Sequence, residues 1–356
     1  EIEIRENFSF WNLTNFKEKN LYKKNYFFNI AKVITLLEVI ESHLYDDSYI
    51  HIKDQYFDKL LRKIIGKQKI KKRTPVKTSL YFIKNIFYET LSLFRSLNFL
   101  IIRIFFNNKK KKIDVNYNLF LSFFTYLDKK KFKEKIYRSL FWGKISKYTN
   151  INFVHLFISN EILNSFNNLN KKITELNKDN ELHSLLDSYV SLGMIYNIFK
   201  VSFKLKIKHL LIKNKYKLYY KNYNLSRLLI FDLRENFYLF NITKKLYYFY
   251  LIESFFKKNN FKGNCFYIHE NQPWEKSLIY HWKKNHNKKI YGVINSSVRF
   301  WDLRFAKNTI NPDFLLTNGA DSFSKAIEFG YNKNEILNVE SLRYQNKSSI
   351  INKKFN

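Results

Sequence analysis

CFYIHENQPWE, Cys265–Glu275, decides how the chain is read, because a short apolar run passes there into a polar turn and then into a helical stripe. Cys265–Ile268 is apolar without a helical period, the pattern of a buried strand. Beyond the turn, Trp274, Leu278 and Trp282 recur at i, i+4 and i+8, and Pro273 stands where a first helical turn tolerates it. The turn itself, His269, Glu270, Asn271 and Gln272, therefore lies at the carboxyl end of a strand, where open α/β sheets hold their ligands.

Working outward, strand candidates centre near residues 266, 292, 315 and 338, spacings of 26, 23 and 23 that match one βα unit. In the clearest unit, Phe314–Thr317 leads through Asn318 and Gly319 into a helix started by Asp321 and stopped at Gly330, and Ile336–Val339 follows as a strand. Upstream, Tyr49–Lys53, Tyr117–Tyr126 and Asn152–Ile158 read as strands. Ala31–Leu44, Tyr56–Ile65, residues 78–106, Lys129–Tyr148 and Leu239–Lys258 read as helices, and Leu228–Asp232 fits either state. Residues 161–222 read as mostly helical, with Leu185, Tyr189, Leu192 and Tyr196 on one stripe. The alternation predicts an α/β fold, a Rossmann-like doubly wound parallel sheet with many helices.

The 356 residues carry a formal charge of +33. The lysine excess travels with abundant Asn, Ile, Phe and Tyr along the whole length, the drift an AT-rich genome produces, so no specific nucleic acid is expected as a partner. A single cysteine, Cys265, excludes an internal disulfide and a cysteine-built zinc site and fits a reducing, cytoplasmic compartment. Leu80–Phe106 is the most lipid-like segment, but Lys84, Glu89, Arg95 and Arg103 interrupt it and suit an amphipathic helix on a core or a membrane surface. The chain begins at Glu1 and ends on SSIINKKFN, as a fragment of a longer protein would. P-loop, dinucleotide, nucleophile-elbow and HExxH signatures are absent, and no cofactor is required by the motifs present.

Two clusters carry chemistry. Glu270 beside His269 has the make-up of a catalytic pair, a carboxylate acting as general base on a hydroxyl; the competing reading makes Glu270 a helix cap. Glu275 suits a first-turn acid, and Gln272 and Trp274 complete the turn's contact set. The second cluster, NSSVRFWDLR at 295–304, offers Asn295, Ser296, Ser297, Arg299 and Arg304 to grip an anionic sugar, with Trp301 as a stacking platform. In the alternative, Asp302 ion-pairs Arg299 or Arg304.

The segments HENQPWEKSLIYHW (269–282), NSSVRFWDLRF (295–305), PDFLLTNGADSFSKAIEFGY (312–331) and ILNVESLRY (336–344) resemble a family of bacterial surface carbohydrate biosynthesis proteins related to two-domain (GT-B) glycosyltransferases. Its Glu-x-Gln-Pro-Trp-Glu motif is met at Glu270, Gln272, Pro273, Trp274 and Glu275; upstream the likeness thins to LFWGK (140–144) and FLSFFTYLD (120–128). The resemblance implies a cytoplasmic transferase, resting peripherally on the inner membrane, that moves a sugar from a nucleotide-sugar donor to a glycan acceptor. Residues 1–344 would form the acceptor-side, GT-B-like N-terminal domain with helical insertions around 55–112 and 161–222, and 345–356 the start of a linker. The second, nucleotide-binding domain would lie beyond. A basic nucleic-acid-binding protein and a non-catalytic scaffold are the alternatives.

Overall fold

The computed structural model describes residues 2–19, 26–42, 78–104, 113–123, 128–139, 141–142, 145–156, 173, 175–299 and 302–339. Its strands are β1 (Glu3–Arg5), β2 (Phe8–Ser9), β3 (Asn118–Phe123), β4 (Ile151–Leu156), β5 (Glu181–Leu185), β6 (Tyr219–Tyr220), β7 (Tyr223–Asn224), β8 (Cys265–Ile268), β9 (Ile290–Val293), β10 (Phe314–Asn318) and β11 (Ile336–Val339). The helices are α1 (Asn15–Glu18), α2 (Tyr26–Glu41), α3 (Thr78–Ile104), α4 (Lys129–Lys133), α5 (Leu192–Ile212), α6 (Ser226–Arg234), α7 (Leu239–Lys258), α8 (Pro273–Asn285) and α9 (Ala320–Glu328).

Seven strands form one parallel sheet in the order β11-β10-β9-β8-β3-β4-β5. From β3 the chain steps through β4 to β5 at one edge, returns by way of α5, α6 and α7 to β8 beside β3, and then steps through β9 and β10 to β11 at the other edge. The order reverses between β3 and β8, so the fold is a doubly wound, Rossmann-like α/β sheet whose switch point lies between those two strands. Their register, Leu119↔Cys265 to Leu121↔Tyr267, places the carboxyl ends of both on one edge.

Alternation along each strand divides the core. Leu119, Leu121, Val154, Cys265, Tyr267 and Ile290 pack with α5, α7 and α8 on one face. The other face carries a ladder of rings, Phe153, Phe120, Phe266, Tyr291 and Phe314, with Phe120–Phe266 and Phe266–Tyr291 stacked at 4.7 and 4.8 Å. In-register parallel pairing forces this row, because the five residues share one rung. Helix α7 is apolar almost all round and lies buried between α3, α5 and α8. Arg103 of α3 sits 3.7 Å above Phe99 and pairs with Asp187 at 3.5 Å, while the Tyr247 hydroxyl of α7 donates to Asp187 at 2.6 Å. That buried network ties α3 to the turn after β5.

The C-terminal βα series matches the sequence reading, as does Leu239–Lys258. Two expectations are corrected. The helix expected over Lys129–Tyr148 stops at Lys133, where Lys135 takes a left-handed φ of 58° and the Ile136 N–H caps back to the Lys131 carbonyl. Within 161–222, Leu185 and Tyr189 belong to β5 and a 3-10 turn, so the apparent stripe spans three elements. The inward face of α5 is Met194, Ile198, Leu205 and His209, while Leu192 and Tyr196 face outward. Residues 228–232 resolve as helix within α6. The strand expected at Tyr49–Lys53 and the helix at Tyr56–Ile65 lie outside the described residues. Among the described residues, no helix is long and apolar enough to cross a membrane.

Candidate functional site

Helix α8 begins at Pro273, with Gln272 as its N-cap residue, and the strand β8 that feeds it ends at Ile268 beside the switch point. The intervening turn is held from below. Glu275 is fully buried, and its carboxylate accepts the Glu270 N–H at 3.1 Å through both oxygens and the Asn271 N–H at 2.9 Å. Burial pushes this carboxyl above its ordinary range, against the pull of the backbone amides and of Lys276. Asn271 supplies the left-handed corner, φ 60°, which Asn tolerates better than most side-chain-bearing residues. Its amide donates to the Lys17 and Glu18 carbonyls, and its oxygen accepts from Asn308. The N-terminal segment and the loop after β9 thus converge on one residue.

Above this base, Gln272 links its neighbours. Its Nε2 donates to Glu270 Oε2 at 2.6 Å, and its Oε1 accepts from Trp274 Nε1 at 3.0 Å. Glu270 is half-buried, and its second oxygen has no protein donor among the described residues. Trp274 is buried, edge-on to Phe123 at the end of β3, so the turn closes over the switch point. His269, expected as partner to Glu270, is instead placed beneath it: it is 2% exposed, its Nδ1 lies 2.9 Å from the Tyr267 hydroxyl and 3.5 Å from Glu275 Oε2, and burial lowers its pKa to about 3. A neutral, enclosed imidazole positions the strand end rather than meeting solvent. Gly292 on β9 makes room for it, since a Cβ there would stand 3.0 Å from the Tyr267 hydroxyl and 3.2 Å from His269 Cβ.

The second cluster leaves the same sheet edge one strand further out. Ser296, Ser297 and Arg299 are exposed, whereas Asn295 is buried. Arg304 forks onto Asp302, Nε to Oδ1 at 2.8 Å and a terminal nitrogen to Oδ2 at 2.6 Å, which is the ion-paired arrangement weighed as the alternative from sequence. Phe305 packs over His269 at 6.3 Å, so the two loops meet. Trp301 lies outside the described residues. Of the expected contact residues, Glu270 and Gln272 stand together at the turn, Arg299 and the two serines are accessible nearby in the chain, and Glu275, Trp274 and His269 form the support beneath.

Sequence reasoning missed the hub around Asn271. It also missed Lys276, which is buried and donates to the Ile310 carbonyl at 3.0 Å; burial lowers its pKa, opposed by Glu275 beside it. Neither follows a periodic pattern, although Asn before a helix-starting Gln-Pro is a usable sign of a left-handed corner. A groove of about 400 Å³ adjoins this hub, walled by Ser9, Asn12, Lys17 and Thr309. Among the described residues, no group of three or more His, Cys, Asp or Glu side chains could hold a metal ion.

The fold and the site thus define an α/β protein with a polar turn at the switch point of its sheet. No family model matches the chain, and no solved structure matches it. A segment of 155 residues, 43% of the chain, is 30% identical to the DNA-directed RNA polymerase subunit beta'' of Plasmodium falciparum, of whose length it spans 15%.

Proposed function

We propose that the chain is the acceptor-side part of a nucleotide-sugar-dependent glycosyltransferase of surface polysaccharide synthesis, with Glu270 as its base. One observation carries the reading: Glu270 is the carboxylate at the switch-point end of β8 that, among the described residues, keeps an oxygen without a protein donor while Gln272 fixes the other. The motif likeness at 269–282 supports it from sequence. In the reaction, the free oxygen of Glu270 takes the proton of an acceptor hydroxyl as that oxygen bonds to the anomeric carbon of the donor sugar. The bond from that carbon to the nucleotide phosphate breaks, and the electron pair leaves with the phosphate. Arg299, exposed on the neighbouring loop, offers positive charge to the donor or to an anionic acceptor. Trp274, Gln272 and Glu275 set the geometry of the base through the hydrogen bonds described above.

The test uses the full-length gene product. Glu270→Gln abolishes transfer while thermal stability and nucleotide-sugar binding survive; undiminished turnover rejects Glu270 as the base. A thermal-shift panel of CDP-, CMP-, GDP- and UDP-sugars tests the class itself, since stabilisation by none of them contradicts a nucleotide-sugar enzyme.

A further inference from the structure

Helix α3 packs Leu100 and Phe99 against the core and leaves a second apolar row outside it. Its inward side carries Ser96, fully buried, and Ser92, whose hydroxyl accepts the Phe240 N–H at 2.7 Å. Its outward side carries Phe87, Phe94 and Ile101, exposed by 62, 64 and 51%, with Leu97 beside them. Spacings of seven residues put those three on one line of the helix. Among the described residues nothing encloses this row, an exposed apolar strip of the kind that marks a docking face.

Helix α5 repeats the pattern. Opposite its buried stripe, Leu192, Tyr196, Phe203, Ile207 and Leu210 form a second apolar stripe, all exposed. Lys200, Lys204 and Lys208 follow at i, i+4 and i+8 and run alongside it, and the helix holds no acidic residue. Lys206 reaches across to Glu89 of α3 at 2.5 Å, so the two helices are pinned side by side. Glu89, the one carboxylate in either helix, is thereby spent.

We propose that the outward faces of α3 and α5 form a docking surface for an anionic lipid bilayer, on which the chain lies without crossing it. The charge pattern selects this occupant. An apolar stripe flanked by lysines sinks its rings to the acyl boundary while the lysine stems reach up to the phosphates. A second copy of the chain fits less well, because each lysine row would meet another lysine row or Arg95, with no free carboxylate on either helix to answer it. The formal charge of +33 adds long-range attraction to an anionic surface. The inference deepens the peripheral membrane contact that the proposed transferase reading implies, but it is argued from the exposed side chains of α3 and α5 and needs no activity for its test.

Cosedimentation of the whole chain with vesicles of phosphatidylglycerol and phosphatidylcholine, against phosphatidylcholine alone, tests it. Binding is expected to the anionic vesicles, weakened by salt, and reduced by roughly a hundredfold in Lys200→Gln/Lys204→Gln/Lys208→Gln. Phe94→Ser/Ile101→Ser should lose at least about tenfold. All five positions point to solvent, and unchanged circular dichroism spectra confirm that the variants fold. Absence of binding, or binding that survives both sets of substitutions, overturns the proposal. So does a dimer in sedimentation velocity that Phe94→Ser/Ile101→Ser dissociates, which would assign the face to a second copy.

Discussion

Glu275→Gln tests whether the turn at the switch point is held from beneath. The carboxylate receives two backbone amides, from Glu270 and Asn271, in a fully buried setting. A glutamine keeps one acceptor oxygen, which can serve the Asn271 N–H, but turns an amide donor towards the Glu270 N–H. Losing one charge-assisted bond and facing two donors costs about 2–3 kcal/mol. Part of this is returned because a neutral amide is cheaper to bury than a carboxylate, the same cost that pushes the Glu275 carboxyl up. The net expectation is about 1–2 kcal/mol for Glu275→Gln. For Glu275→Ala, with both amides orphaned and the side-chain volume empty, it is about 3–5 kcal/mol. Urea unfolding followed by the fluorescence of the buried Trp274 and Trp282 measures both. Hydrogen exchange at Glu270 and Asn271 should quicken in parallel. If Glu275→Ala stays within about 0.5 kcal/mol of the parent chain with exchange unaltered, the support role is refuted.

Acid should unfold the chain through its buried histidines. Burial lowers His269 to about 3 and His209 and His281 to about 4, each from 6.5. The unfolded chain then binds more protons between those values, so the stability is full above pH 6.5 and is lost as pH falls towards 4. At pH 5 the loss is at most about 2 kcal/mol per histidine, and a urea midpoint that is flat between pH 7 and 5 contradicts it. Gly263→Ala would place a Cβ 2.5 Å from the Tyr117 carbonyl oxygen, where β3 and β8 begin; about 2–3 kcal/mol of destabilisation is expected in the same assay. Arg103→Met strips the cation from Asp187, which is 2% exposed, and should cost about 3–5 kcal/mol. Adding Asp187→Asn should recover part of that loss, and a strictly additive double variant would show that the pair is not coupled.

The C-terminal half was legible because its strands are short apolar runs at βα spacing, bounded by the stop signals Gly319 and Gly330 at φ 103° and 95°. Pattern alone also located the turn after β8, and Pro273 announced its helix. Which side chains of that turn meet solvent was not legible. Glu270, Glu275 and His269 are alike polar in sequence, and only the packing of the N-terminal segment and of the loop after β9 buries two and leaves one half-open. Strand β5 was missed because Glu181 and His183 are polar residues satisfied by each other at 2.9 Å, a compensation with no periodic signature.

By itself, then, the sequence determined local matters: strand and helix periods, the turn at Gly319, and the alternation that calls for a parallel sheet. The tertiary structure decided the reversal of strand order between β3 and β8, which sets the polar turn after β8 at the switch point of the sheet. It also decided the outward direction of the apolar stripes on α3 and α5. Periodicity reports that a helix has a face, but which face meets the core depends on contacts between residues more than a hundred positions apart, such as Lys206 with Glu89.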